Sequence, residues 1–169
     1  MVLKLKEILF IFLQNQLKNN LMCNINKETK YKTRIIYKVC YKCKDNYYSI
    51  FAGMKIEIGK IADSIRLSHL PINSRYIVFS RYEIGDWLYN NNLIGRTSGF
   101  KDKEAAFKLL RRQPSFKDNN NVIVAEPVVL KIKIGGSIFQ GDSSLISHGL
   151  PNDKVTYAGS EILSFEEIS

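Results

Sequence analysis

Alternating apolar and polar residues recur along most of this chain, and such a two-residue period is typical of half-buried β-strands. The clearest example is the KIKI segment at 131–134, where one set of side chains would face a core and the other water. A Lys-Asp-Asn turn at 44–46 indicates a β-hairpin. The glycine pair at 135–136 is predicted to end the KIKI strand, with a loop-rich stretch over 137–153. The predicted strands are 34–42, 47–51, 55–58, 76–82, 122–125, 128–134, 155–158 and 162–168.

Helical spacing replaces this alternation over residues 102–112, which are predicted to form one short amphipathic helix. Asp102 is suited to cap its N-terminus, and Glu104 lies in the first turn, where negative charge is favourable. Two arginines lie in the last turn, where cations are favourable, and Pro114 prevents the helix from continuing. The whole pattern predicts an α+β fold, in which a mixed, mainly antiparallel sheet carries this helix on one face.

Residues 1–32 have a different pattern and are predicted to form an N-terminal extension to a single α+β domain at 33–169. Apolar residues at helical spacing over 3–19 predict a helix, and the polar stretch after Met22 predicts a loop. Met22 is also an alternative start of translation. The apolar run near the N-terminus is shorter than a signal-peptide core, and no stretch reaches the roughly 20 apolar residues of a membrane span. We therefore expect a cytoplasmic protein with no membrane partner.

The composition is that of a globular protein, and the charge is strongly positive. The chain has 169 residues, of which 45% are hydrophobic and 24% charged, and its formal net charge is +9. The excess of lysine and arginine lies in residues 22–118, whereas the chain after residue 118 is net negative. A basic stretch of this kind favours anionic partners such as nucleic acid or phosphorylated ligands. The simpler interpretation is that these lysines are solvated and contribute to solubility.

Three cysteines are too few for a disulfide framework and fit a reducing environment. Cys40 and Cys43 have the spacing of a zinc-binding or redox pair. Zinc needs four ligands, however, and Cys23 and the two histidines are not at ligand spacing. If both cysteines lie on one strand, the two-residue period also directs them to opposite faces. The favoured interpretation is structural, so no metal or other cofactor is predicted.

Four short strings occur in a fixed order along the chain: YKV at 37–39, YEIGDW at 82–87, GFKDKEAAFKLL at 99–110 and YAGSEILSFEEI at 157–168. This ordered set resembles a group of small phage and bacterial proteins. The shared pattern runs Tyr-Lys-Val, Tyr-x-x-Gly-x-Trp, Gly-Phe-x-x-x-x-Ala-Ala and Tyr-Ala-x-x-x-Ile-Leu. The resemblance extends from residue 36 to the C-terminus, with an insertion at 54–81. It implies the α+β architecture and carries no particular activity.

The order of a strand and helix at 99–110 before paired strands at 122–134 is also similar to that of ADP-ribosyltransferase-like domains. This similarity implies a nucleotide-handling enzyme, in which an arginine or histidine on the first strand binds a dinucleotide and a late glutamate is commonly catalytic. In this chain the corresponding residues would be Arg34, then Arg96, Thr97 and Ser98, and finally Glu161 or Glu166.

Aromatic and basic residues that lie close together in the sequence form two further candidate sites. The first would stack a base or nucleotide, and the second would contact phosphate from the predicted helix. The alternative is that the aromatic residues are core and the helix charges are solvated. The first set consists of Arg81, Tyr82, Trp87, Tyr89 and Arg96. The second consists of Arg111 and Arg112, with Lys103 and Lys108.

These patterns together favour a small intracellular accessory module, of a phage or mobile-element type, that acts by binding rather than by catalysis. A protein partner or a second copy of the chain is one expected ligand. An ADP-ribosyltransferase-like enzyme and a nucleic-acid-binding protein that uses the basic residues 22–118 are the two alternatives.

Overall fold

Antiparallel strand pairing builds most of the described part of this protein, whose computed structural model describes residues 23–49, 55–61, 95–143 and 155–169. Every pairing between the described strands is antiparallel, and these residues contain one short helix, α1. The predicted α+β class is confirmed at this level. The elements are β1 (Cys23–Glu28), β2 (Thr33–Cys43), β3 (Asn46–Ser49), β4 (Gly59–Lys60), β5 (Thr97–Phe100), α1 (Lys103–Leu110), β6 (Phe116–Lys117), β7 (Ile123–Ser143) and β8 (Val155–Ile168).

Four strands pair in a closed ring. β7 pairs with β2 on one side and with β8 on the other, and β5 pairs with both β2 and β8. The link between β2 and β5 is a single residue pair, Tyr37 with Phe100. β2 pairs with the first part of β7. The last part of β7, as far as Ser143, pairs with β1 instead. The ring therefore has an inner and an outer face, which alternate along each strand.

The two faces of β2 belong to different hydrophobic clusters. Ile36 and Cys40 lie in a fully buried cluster with Ile132 and Ile134 of β7. Val39 faces the other way and packs with α1, whose buried residues are Ala105, Ala106 and Leu109. Because α1 covers this second face, the isoleucine-rich cluster lies inside the ring and the helix lies outside it. The alternation in the sequence predicts burial of both faces. This burial is the main source of the stability of the fold.

The helix matches its prediction closely. α1 spans Lys103–Leu110, inside the predicted 102–112, and Asp102 is its N-cap residue. The Asp102 side chain makes no capping hydrogen bond, so the carboxylate acts there only through its charge. After the helix, the Tyr41 hydroxyl donates to the Pro114 carbonyl at 3.0 Å and ties the exit of α1 to β2.

Three strand boundaries were predicted wrongly. The glycine pair at 135–136 does not end a strand, because β7 continues through a bulge to Ser143. Gly136 adopts φ +73°, and the Ser137 amide donates to Ser160 Oγ at 3.0 Å, so the bulge keeps its polar groups satisfied. Pro127 is likewise inside β7, paired with Tyr41, and the two predicted closing strands are one strand, β8.

The polar stretch after Met22 was predicted to be a loop, and this is wrong for Cys23–Glu28, which forms β1. The predicted hairpin turn is confirmed, with Lys44 at φ 54° between β2 and β3. Of the predicted 55–58 strand, only Lys55 pairs, in a bridge to Tyr48. The predicted helix at 3–19 and strand at 76–82 lie outside the described residues. Within the parts that are described, no helix has the length and apolarity to cross a bilayer.

Candidate functional site

A cavity of about 270 Å³ lies beside the first residues of β2. It forms there because β5 meets β2 only at Tyr37, so no described strand occupies that side of the preceding residues. Lys101 follows β5 directly and its amide donates to the Val155 carbonyl, which places it next to β8. Lys133 reaches the site from β7, where it is paired with Ile35. The described lining residues are Thr33, Arg34, Ile35, Lys101, Lys133 and Tyr157.

Positive charge dominates this lining. Arg34, Lys101 and Lys133 contribute three cations, and the described lining residues include no carboxylate or imidazole. None of the three cations forms an ion pair with a described carboxylate. Cations that converge on a concavity without counter-charges favour an anionic ligand, because their mutual repulsion is relieved when it binds.

The lysines of β7 differ in their described partners. Lys131 and Lys133 lie on the same outward face of the strand, as the KIKI alternation predicts. Lys131 faces Glu166 of β8 and donates to its Oε1 at 2.8 Å, which raises the pKa of Lys131 through that hydrogen bond. Lys133 instead faces Ser164, which offers no charge. The residue opposite each lysine on β8 therefore determines whether that lysine forms an ion pair there.

Arg34 has an unusual environment within this site. Its Cζ atom lies 3.3 Å from the centroid of the Tyr31 ring and 5.2 Å from that of Tyr157, so both rings stabilise the guanidinium through cation–π contacts. Its Nε–H is buried and has no hydrogen-bond partner. A buried donor left unsatisfied costs about 1–3 kcal/mol.

The segment that carries Tyr31 is fixed to β7. Both the amide and the hydroxyl of Thr29 donate to the Ile138 carbonyl at 2.8 Å, and the Tyr31 amide lies 3.4 Å from the Thr29 hydroxyl oxygen. The Tyr31 ring meets Tyr157 edge-on, with ring centroids 6.1 Å apart. Tyr31 nevertheless remains 45% exposed. The site therefore combines a cationic cavity with an adjoining, solvent-accessible aromatic ring.

The charged cluster at the other end of β2 is, by contrast, internally neutralised. Lys42 Nζ and the Tyr47 hydroxyl both donate to Glu167 Oε2 at 2.8 Å. These two hydrogen bonds lower the pKa of Glu167, and the same bonds raise the pKa values of Lys42 and Tyr47. Glu167 already occupies these donors, so this cluster offers no comparable site for an external anion.

Arg34 is the one residue of the predicted ADP-ribosyltransferase-like set that lines the cavity. Arg96 immediately precedes β5 and stacks over Phe139, with its Cζ 4.2 Å from the ring centroid. Glu166 is paired with Lys131, and Glu161 lies on β8 opposite Lys60. Thr97 and Ser98 are on β5, and Thr97 is buried. The structure thus does not bring these residues together around the cavity.

The remaining candidate residues are placed elsewhere. Arg111 is the C-cap of α1, Arg112 follows it, and both are exposed and outside the cavity lining. Arg81, Tyr82, Trp87 and Tyr89 lie outside the described residues. The base-stacking role for that set therefore stays a prediction.

Cys40 and Cys43 lie on opposite faces of β2, as the alternation requires, and belong to separate buried clusters. Burial raises the pKa of the Cys40 thiol to about 12 and also raises that of Cys43. The described residues contain no group of three or more histidine, cysteine or acidic side chains positioned to hold a metal.

Six lining or neighbouring residues were missed from the sequence, because they meet only through pairings between distant strands. The alternation of KIKI was the one available signal, since it placed Lys133 on an outward face. The missed residues are Tyr31, Thr33, Ile35, Lys101, Lys133 and Tyr157. Comparisons of the chain with protein-family models, curated proteins and solved structures found no match.

Proposed function

We propose that this protein is a cytoplasmic binding module and that the cavity beside β2 binds a phosphate-bearing anion. The observation that carries the proposal is the set of three cations, Arg34, Lys101 and Lys133, which line one cavity without described counter-charges. Arginine and lysine are the side chains that bind phosphate most readily, arginine through its planar fork and lysine as a point charge. Thr33 adds a hydroxyl donor at the same cavity.

Binding rather than catalysis is favoured by the chemistry of the described lining. Arginine and lysine stabilise an anion, whereas general acid–base catalysis near neutral pH most often uses histidine or a carboxylate. The late glutamate required by the ADP-ribosyltransferase-like alternative would have to come from a residue other than Glu166, which is exposed and paired with Lys131. That enzyme remains the alternative proposal.

The direct test is isothermal titration calorimetry of the full chain with pyrophosphate at low ionic strength. We expect saturable binding that weakens as salt is added. Arg34→Met and Lys133→Met should each reduce the affinity about tenfold or more, the usual effect of losing one charge-assisted hydrogen bond. Lys117→Met, which removes an exposed lysine outside the cavity, is the matched control and should leave the affinity unchanged.

The Arg34 variant also removes the contacts with Tyr31 and Tyr157, so its thermal unfolding should be measured alongside binding. Arg34→Lys retains the charge and loses the fork, and is expected to bind with intermediate affinity. Absence of pyrophosphate binding would contradict the proposal, and so would an equal loss in the Lys117→Met control.

A further inference from the structure

The cavity and the exposed ring of Tyr31 are parts of one continuous surface, because they share two residues. Arg34 lines the cavity and stacks on Tyr31, and Tyr157 lines the cavity and forms a T-shaped contact with the same ring. An anion held by Arg34 is therefore adjacent to Tyr31. A site for inorganic phosphate alone would need the cations but not the adjoining aromatic ring.

The Tyr31 ring has one face available for a ligand. Arg34 covers one face at 3.3 Å. Because the Tyr157 ring centroid lies 5.2 Å from the same Arg34 atom and 6.1 Å from the Tyr31 centroid, Tyr157 lies on the Arg34 side of the Tyr31 ring. None of the described ring contacts lies on the face opposite Arg34, and 45% of Tyr31 is exposed. An exposed aromatic face beside cations is the arrangement on which nucleic-acid-binding proteins stack bases.

The size of the cavity is consistent with a phosphate bound inside it and a base stacked on Tyr31 outside it. Cavities that enclose whole drug-sized ligands usually measure about 300–1,000 Å³, and this one is slightly smaller at about 270 Å³. A ligand of nucleotide size would therefore extend beyond the cavity, with its phosphate and sugar inside. Ile35, which is 38% exposed and lines the cavity, supplies an apolar wall for the sugar. A base attached to that sugar would then lie outside the cavity.

From this geometry we infer that the ligand is a nucleoside phosphate, with its phosphate bound by Arg34, Lys101 and Lys133 and its base stacked on the open face of Tyr31. The inference rests on the proposed anion-binding function and narrows it to one chemical class. Such a group occurs both as a free nucleotide and as a unit of a single-stranded nucleic acid. The experiment below distinguishes these two sources.

Calorimetric titrations of the full chain with pyrophosphate and with ADP test the inference. ADP should bind about tenfold or more tightly than pyrophosphate, because only ADP carries a base. Tyr31→Leu should abolish this advantage and leave the pyrophosphate affinity within about twofold, whereas Tyr31→Phe and Tyr31→Trp should retain it because both keep a flat ring. A short single-stranded oligonucleotide that binds more tightly than ADP would identify a nucleic-acid strand as the source, and weaker binding would identify the free nucleotide.

The contrary outcomes separate the inference from the function on which it rests. Equal affinities for ADP and pyrophosphate in the unaltered protein would overturn the nucleoside assignment and leave the anion-binding function standing. If Tyr31→Leu weakened both ligands equally, Tyr31 would serve only to position Arg34, and the stacking role would be refuted. If neither ligand bound, both the assignment and the function would fall.

Discussion

Lys133 lies directly across the β7–β8 pairing from Ser164, whereas Lys131, two residues earlier on the same face, lies across from Glu166. A single carboxylate thus determines which of the two lysines is available to a ligand. Ser164→Glu should copy the Lys131–Glu166 ion pair at Lys133 and reduce the affinity for pyrophosphate. An exposed pair of this kind contributes about 0.2–1 kcal/mol, so the expected loss by calorimetry is about 1.4- to fivefold.

Ser164→Gln is the control for this prediction, since it adds similar bulk without charge and should leave the affinity unchanged. The loss in Ser164→Glu should also shrink in high salt, where exposed charges are screened. A glutamate at 164 that leaves pyrophosphate binding intact would show that Lys133 does not contribute to the site.

Close packing at Gly159 leads to a prediction about stability. A Cβ atom at this position would lie 2.7 Å from Cβ of Ile134 and 3.1 Å from the Gly135 carbonyl oxygen. Gly159→Ala should therefore destabilise the protein by about 1–3 kcal/mol in urea denaturation, the usual cost of overpacking a core. Adding Ile134→Val should recover little, because valine keeps the closest atom, Cβ. If Gly159→Ala alone changed the free energy of unfolding by less than about 0.5 kcal/mol, this account of the contact would be contradicted.

The Glu167 carboxylate leads to a prediction about pH dependence. Its pKa is lowered from 4.5, first by the hydrogen bond from Lys42 and then by that from Tyr47. A carboxyl with a lowered pKa in the folded state contributes stability above its unfolded pKa, and that contribution is lost as the pH falls through the folded value. The stability difference between the unaltered protein and Glu167→Gln should therefore be constant near neutral pH and shrink below pH 4.5.

The stability difference between the unaltered protein and Glu167→Gln should also shrink at alkaline pH, because the pKa values of Lys42 and Tyr47 are raised from 10.5 and 10.0. A raised pKa contributes stability below the unfolded value, and the contribution is lost as the pH rises through the folded one, here above pH 10. Carboxyl ¹³C titration by NMR measures the Glu167 pKa directly. Lys42→Met should raise that pKa more than Tyr47→Phe does, and a Glu167 pKa at or above 4.5 in the unaltered protein would exclude the proposed network.

Burial of Cys40 leads to a prediction about its reactivity. With a pKa of about 12, its thiol is almost entirely protonated at pH 8, and the thiolate is the form that reacts with alkylating agents. In a Cys23→Ser background, Cys40 should resist iodoacetamide in the folded protein and react readily in urea, as mass spectrometry of the digested protein would show. Modification of folded Cys40 at the rate of a free peptide thiol would contradict its placement inside the ring.

Local pattern was sufficient to predict several elements correctly. The apolar stripe, Glu104 and the Pro114 stop placed α1 within two residues of its observed ends. The KIKI alternation placed the isoleucines in the core and the lysines outside. The spacing of Cys40 and Cys43 was enough to assign them to opposite faces of a strand. In each case the deciding interactions involve neighbours a few residues apart.

The strand boundaries and the site depended on long-range partners instead. Nothing near Gly136 indicates that Ser160 will satisfy the backbone of a bulge, so the glycine pair predicted a strand end that the structure does not have. Likewise, the sequence around Lys133 does not reveal that Ser164 faces it. The cavity arises from the divergence of β5 from β2 after one residue pair, a property of the assembled sheet that no single segment encodes.

The closed ring also constrains the order in which the chain can fold during synthesis. All described partners of β2 are made after it, and only β3 is close to it in the sequence. The contact between Thr29 and Ile138 joins residues 109 positions apart. Such contacts require a long loop to close before they contribute any stability. β2 and β5 must therefore wait for β7 and β8 to leave the ribosome, and the cavity that Tyr157 completes is among the last features of the protein to form.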